Sequence, residues 1–287
     1  MNAAARCVIL GFGYSAAAFA KEAQGAFSSM TVTARSEEKV KRLRSAGWHA
    51  IRFDGASNQD LEQAIQQSTL LVVSVPPGEY GDPTLRVLGY LIASAPSLSR
   101  ILYLSTVGVY GDHQGDWVNE TSPLRPVSLR SQHRIAAESA WRELAQLKGA
   151  DLGIFRLSGI YGPGRSAIEN LRAGTARRIV KPGQVFNRIH VSDIAGALSK
   201  AAGYSGALGT LNLTDDQPAP PQDVVAYAAQ MLGLPVPPDI PFHEANLSAM
   251  GRSFYGENKR VSNARIKEQL GYSFRCPTYR EGLAACR

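Results

Sequence analysis

Short apolar runs and amphipathic stretches alternate through the first half of the chain. Residues 7–10, 30–34, 50–53, 70–75, 101–105 and 151–157 read as strands. The segments 16–24, 37–46, 58–67, 84–95 and 130–147 between them read as helices. Leu70-Leu71-Val72-Val73-Ser74-Val75 is almost wholly apolar, as a central parallel strand covered on both faces should be. Six or more strands in succession with helices between them predict an α/β fold with a doubly wound, mostly parallel sheet.

The pattern loosens from Pro163 onward. Turn signals accumulate at Pro163-Gly164 and Pro182-Gly183, and proline-rich stretches at 214–221 and 234–241 flank a helix over 222–232. These pieces are short, so the expectation is a core over residues 1–165 and a smaller substrate-binding lobe over 166–287. Residues 186–215 are expected to return to the core. The cleft between the lobes is the expected substrate site, since ligands of open α/β folds bind beyond the C-terminal ends of the strands.

Gly11-Phe12-Gly13-Tyr14-Ser15-Ala16 joins the first strand to the first helix. In that position the pattern is a Rossmann-type phosphate turn. Gly11 permits the tight bend, Gly13 lets a diphosphate approach the backbone, and Ala16 keeps the helix close to the sheet. The second strand ends in Thr33-Ala34-Arg35-Ser36, without the acidic residue that commonly holds the ribose diol of NAD. Arg35 and Ser36, supplemented by Lys39, suit a 2′-phosphate, while Glu37 is expected to face solvent. The expected cofactor is therefore NADP, with NAD as the alternative. Ser74, Val75 and Pro76 at the end of the fourth strand belong to the same expected cofactor-binding set.

Composition narrows the partners. The 287 residues are 44% hydrophobic and 19% charged, ordinary for an enzyme-sized globule. The net charge of +7 is scattered along the chain, and no nucleic-acid motif accompanies it, so a phosphate-bearing small molecule is the expected partner. No apolar run reaches the ~18–20 residues of a membrane span. The segment ahead of the glycine turn has no room for a signal-peptide core, which makes a cytoplasmic location the expectation. Cys7 is expected to be buried and Cys276 and Cys286 to be exposed. The three suit neither a disulfide framework nor a metal site. His190 and Asp193 have metal-like spacing, but the sequence supplies no evident third ligand, so no metal is expected.

Four stretches carry a family resemblance. They are the glycine turn, Leu102-Tyr103-Leu104-Ser105-Thr106-Val107-Gly108-Val109-Tyr110-Gly111, Phe155-Arg156-Leu157-Ser158-Gly159-Ile160-Tyr161-Gly162-Pro163-Gly164-Arg165, and Arg188-Ile189-His190-Val191-Ser192-Asp193-Ile194-Ala195. Lys259–Asn263 followed by Leu270-Gly271-Tyr272 adds a fifth. In order and spacing these resemble the extended short-chain dehydrogenases/reductases, which include nucleotide-sugar epimerases and dehydratases. The resemblance implies a hydroxyl that orients the substrate oxygen, and it places Thr106 there. It also implies a proton-transferring tyrosine four residues before a ribose-holding lysine. Those two positions fall on Arg130 and Arg134, with Glu138 supporting the register. Arginine keeps its proton at ordinary pH, so Arg130 suits an anion clamp better than an acid/base. Arg134 can still donate to ribose hydroxyls, and His133 is the nearby group able to exchange a proton.

The expected function is an NAD(P)-binding oxidoreductase or epimerase-like enzyme with a small polar substrate, acidic or sugar-like. The alternative is a catalytically inactive NAD(P)-binding redox sensor or regulatory protein. The resemblance further implies a homodimer built on the helices at 84–95 and 130–147.

Overall fold

The seven-stranded sheet is built outward from the apolar runs that the sequence displays. This computed structural model describes residues 5–287. Strand β1 (Arg6–Leu10) sits between β2 (Ser29–Ala34) and β4 (Leu70–Val73), with β3 (His49–Arg52) beyond β2 and β5 (Arg100–Thr106) beyond β4. Asp151–Leu157 and then Gly209–Leu213 complete the side next to β5. The pairings of β1 with β2 and β4, of β2 with β3, and of β4 with β5 are all parallel. The order runs outward in both directions from the β1–β4 neighbourhood, which is the doubly wound topology.

Helices α1 (Tyr14–Glu22), α2 (Glu37–Ser45), α3 (Gln59–Gln66), α4 (Pro83–Ser94) and α5 (Leu129–Lys148) connect these strands. Their starts are chemically marked. Ser36, Asn58 and Asp82 cap α2, α3 and α4 through side-chain oxygens that accept first-turn amides. Every residue of β4 is buried, in keeping with its apolar sequence. Val8, Leu10, Leu71, Val73, Leu88, Ile92, Tyr103 and Trp141 share one core on the helix-covered sheet.

Two boundaries differ from the sequence reading. Helix α1 starts at Tyr14 rather than 16, because Gly13 itself is the N-cap. Strand β4 stops at Val73 rather than 75, because Ser74 and Val75 pack against Gly11.

The chain divides into two compact units. The first comprises the residues up to Thr106, Leu129–Arg156 and Ile194–Leu211, and contains most of the sheet. The second comprises Val107–Ser128, Leu157–Asp193 and Asn212–Arg287. Its strands are short parallel pairs, Gly159–Tyr161 with Arg188–His190, Arg178–Val180 with Asp239–Pro241, and Trp117–Val118 with Arg260–Val261. One core of this unit gathers Tyr161, Ile168, Val224, Ala228, Tyr279 and Leu283. Among the described residues no helix is long and apolar enough to cross a membrane.

Candidate functional site

The glycine turn is shaped by two different requirements. Gly11 has φ of +88°, and a Cβ there would come to 3.0 Å from both the backbone nitrogen and Cγ2 of Val75. Its amide donates to Thr33 Oγ1 at 2.9 Å, and the Phe12 amide donates to the Thr33 carbonyl at 2.8 Å. The end of β2 therefore holds the turn against β1. Gly13 has an ordinary backbone and is exposed, and a Cβ on it would meet only Ser74 Oγ, at 4.0 Å. Open space thus faces the start of α1, whose N-cap offers no side-chain hydrogen bond. First-turn amides of a helix have no partner within it and carry partial positive charge. Open space, amides and the absence of a Cβ together fit a dinucleotide's diphosphate. Ser15 and Ala16 are buried on the sheet side of α1, and Tyr14 is half-buried.

The groups expected to bind a 2′-phosphate are differently employed. Ser36 Oγ accepts the Lys39 amide at 3.3 Å as the N-cap of α2. Lys39 Nζ donates to the Phe12 carbonyl at 2.6 Å, turning its charge toward the glycine turn. Arg35 remains exposed, and Glu37 and Glu38 are exposed in the first turn of α2.

The second group of site candidates lies where β5 meets α5. Thr106 closes β5 and is half-buried. Arg130 is exposed in the first turn of α5, and His133 is half-buried one turn further on. Arg134 reaches β5, where Nη1 donates to Tyr103 Oη at 2.8 Å and to the Leu104 carbonyl at 3.0 Å. Tyr103 is fully buried beside Trp141, and burial raises its phenol above the ordinary value although Arg134 opposes the shift. It is a packing residue with a satisfied hydroxyl.

One turn beyond Arg134, Glu138 is fully buried and accepts from Ser105 Oγ at 2.5 Å. Arg156 from the neighbouring strand grips the same carboxylate with Nε at 3.1 Å and Nη2 at 2.8 Å. Arg142 adds a contact to Oε2 at 3.1 Å. Arg134 and Glu138 thus engage alternate residues on one face of β5, which fixes both the height and the rotation of α5. Sequence reasoning used Glu138 only as a register mark and missed this network. A Glu buried mid-helix, with an Arg inside an otherwise apolar strand, was the available signal.

In the second unit, His190, Asp193 and Cys276 bring ligand-type atoms within 4.8 Å of one another. The sequence offered no third ligand, and the fold supplies Cys276. Asp193 is heavily engaged, however. Its Oδ1 accepts from Tyr272 Oη at 3.0 Å and the Arg275 amide at 2.7 Å, and Oδ2 accepts from the Cys276 amide at 3.0 Å. His190 Nδ1 lies 2.7 Å from Ser192 Oγ, and its Nε2 lies 3.7 Å from Cys286 Sγ. The cluster clamps the C-terminal segment. Burial lowers the His190 pKa, raises that of Cys276, and pushes the Cys286 thiol up to about 11. The expectation that Cys276 and Cys286 are exposed is corrected, since both are buried by the packing of that segment.

Comparison with known proteins finds a family match over part of the chain. Residues 77–212 match the NAD dependent epimerase/dehydratase family. A functionally unknown conserved protein from Silicibacter pomeroyi is 42% identical, with a TM-score of 0.89 over 98% of each chain. MoeE5 in complex with UDP-glucuronic acid and NAD is 20% identical, with a TM-score of 0.77 over 98% of this chain and 97% of its own. UDP-glucuronic acid 4-epimerase from Bacillus cereus in complex with NAD is 15% identical, with a TM-score of 0.76 over 98% and 96%. Both of these nucleotide-bound structures hold NAD, and this overturns the expectation of NADP. The physical reason is already visible at the end of β2, where Ser36 serves as a cap and Lys39 turns to Phe12.

Proposed function

We propose that the chain is an NAD-binding enzyme of the epimerase/dehydratase type acting on a nucleotide-linked sugar, a reading supported by the match of residues 77–212 to that family. The observation that carries this reading is the Gly11–Gly13 turn, with open space at the start of α1 where a diphosphate fits. NAD, when bound, supplies hydride-accepting chemistry, and the protein supplies position and charge. Thr106 orients the reacting oxygen of the substrate with its hydroxyl. Arg134 spends Nη1 on β5, which leaves Nε and Nη2 to donate to the nicotinamide ribose. Arg130 acts as an anion clamp, since a guanidinium does not cycle its proton at ordinary pH. His133 is then the proton-exchanging side chain of α5. Two copies pair through α4 and α5, whose Tyr90, Leu129 and Leu147 are 89%, 72% and 83% exposed.

A second reading, NAD binding without turnover, is favoured by the pair of arginines at 130 and 134, where the family resemblance calls for tyrosine and lysine. Incubation with NAD and each of UDP-glucose, UDP-glucuronic acid and dTDP-glucose separates the two. Chromatography of the nucleotide sugars should reveal a new product from at least one. A protein that binds NAD yet converts no nucleotide sugar would favour the second reading.

A further inference from the structure

Arg188 opens the strand Arg188–His190 of the second unit, opposite Gly159 on the parallel neighbour. Its backbone is anchored, with the carbonyl accepting from the Asp215 amide at 2.7 Å and from Thr214 Oγ1 at 3.2 Å. Its guanidinium is anchored at one end only. Nη1 donates to the carbonyls of Phe186 and Ala219, each at 3.0 Å. Among the described residues, Nε and Nη2 make no hydrogen bond. These two nitrogens form the planar edge whose parallel N–H groups match the two oxygens of a carboxylate or phosphate.

The surroundings leave this edge without a protein anion. Asp215, Tyr161, Tyr279 and Tyr255 are the groups that act on the Arg188 charge. Asp215 is 1% exposed, accepts the Gln217 amide through Oδ1 at 3.2 Å, and has no partner for Oδ2. Its carboxyl therefore does not close on the guanidinium. Burial pushes its pKa up to about 8, with Asp216 and Asp193 adding to the rise and Arg188 opposing it. Near pH 7 it is mostly the neutral acid, and it does not cancel the arginine's charge. The half-buried guanidinium is thus held at one end, with a donor edge that no protein anion engages and that an anionic ligand can take.

We propose that Arg188 is an oxyanion receptor whose Nε–Nη2 edge takes a carboxylate or phosphate group of the substrate in bidentate fashion. The identity of that substrate rests on the nucleotide-sugar reading, but the receptor itself rests on the geometry of the second unit alone. The sequence reading assigned Arg188 no role, since its free edge is visible only once Nη1 is seen to be committed.

The test is calorimetry on the full-length protein with saturating NAD, so that the glycine turn is blocked. The probes are pyrophosphate, glucuronate, UDP-glucose and UDP-glucuronic acid, and the variants are Arg188→Met and Arg188→Lys. Lysine can replace Nη1 at the Phe186 and Ala219 carbonyls while lacking the second donor edge, so it guards against misfolding of the methionine variant. We expect R188M to lose at least tenfold in affinity and R188K at least threefold. Equal loss for pyrophosphate and both UDP-sugars identifies a phosphate. Loss confined to glucuronate and UDP-glucuronic acid identifies a carboxylate. Binding of the simple anions that depends on Arg188, with no binding of either UDP-sugar, leaves the receptor standing and defeats the nucleotide-sugar reading. Unchanged affinity in folded R188K, or no binding of any probe by the wild type, overturns the receptor.

Discussion

Lys39 Nζ lies 2.6 Å from the carbonyl oxygen of Phe12, so the first turn of α2 is tied to the glycine turn between β1 and α1. This contact brings a positive charge beside the place where the backbone is open to a diphosphate. Lys39→Met should weaken NAD binding about three- to tenfold, corresponding to roughly 0.6–1.4 kcal/mol of partly screened attraction. The loss should shrink in high salt. Titration calorimetry at two ionic strengths measures both effects, and a salt-independent affinity equal to wild type would remove Lys39 from the site.

The buried Glu138–Arg156 pair gives a prediction about stability. Glu138→Ala removes the carboxylate that Arg156 grips in the core and should cost about 3–5 kcal/mol. Replacing both partners with apolar residues should recover much of that loss, because neither charge is then stranded. Urea unfolding of the two single variants and the double variant gives the coupling directly. Additive losses would mean that the pair is not coupled.

Asp215 links stability to pH. Its folded pKa of about 8 lies above the value of ~3.9 for an exposed aspartate, so the folded state holds a proton that the unfolded state releases. This contribution is fully present below the unfolded value. It is lost as pH rises toward about 8, by at most ~1.4 kcal/mol per pH unit. Asp215→Asn cannot titrate, so its stability relative to wild type should rise between pH 5 and 8. Parallel unfolding curves for both proteins across that range would contradict the assignment.

The core strands were legible because strands covered on both faces are continuous apolar runs, as in β4. The glycine turn was legible because its position between strand and helix restricts its meaning. The edge strand Gly209–Leu213 was harder to see, since it is short and interrupted by Thr210 and Asn212. Asn212 is nonetheless buried, with its side chain bonded to Tyr110 Oη at 2.7 Å and the Ser262 carbonyl at 3.0 Å. The cofactor was misread for a local reason. Ser36 followed by Glu37 and Glu38 is a helix-start pattern, and that use of the serine competed with the phosphate-binding use. Contacts such as Ser105–Glu138–Arg156 depend on strands and a helix brought together across long stretches of chain, which no local pattern encodes.

In the proposed function, the open start of α1 cradles the diphosphate of NAD. Calorimetric titration of NAD into wild type and Gly13→Asp tests it most directly. The exposed Gly13 has room for a side chain in the absence of ligand, so G13D should fold with a melting temperature near that of wild type. It should nevertheless lose NAD affinity by about a hundredfold or more, corresponding to ~2.7 kcal/mol, because the carboxylate occupies and repels the diphosphate position. A folded G13D protein that binds NAD as tightly as wild type would contradict the account.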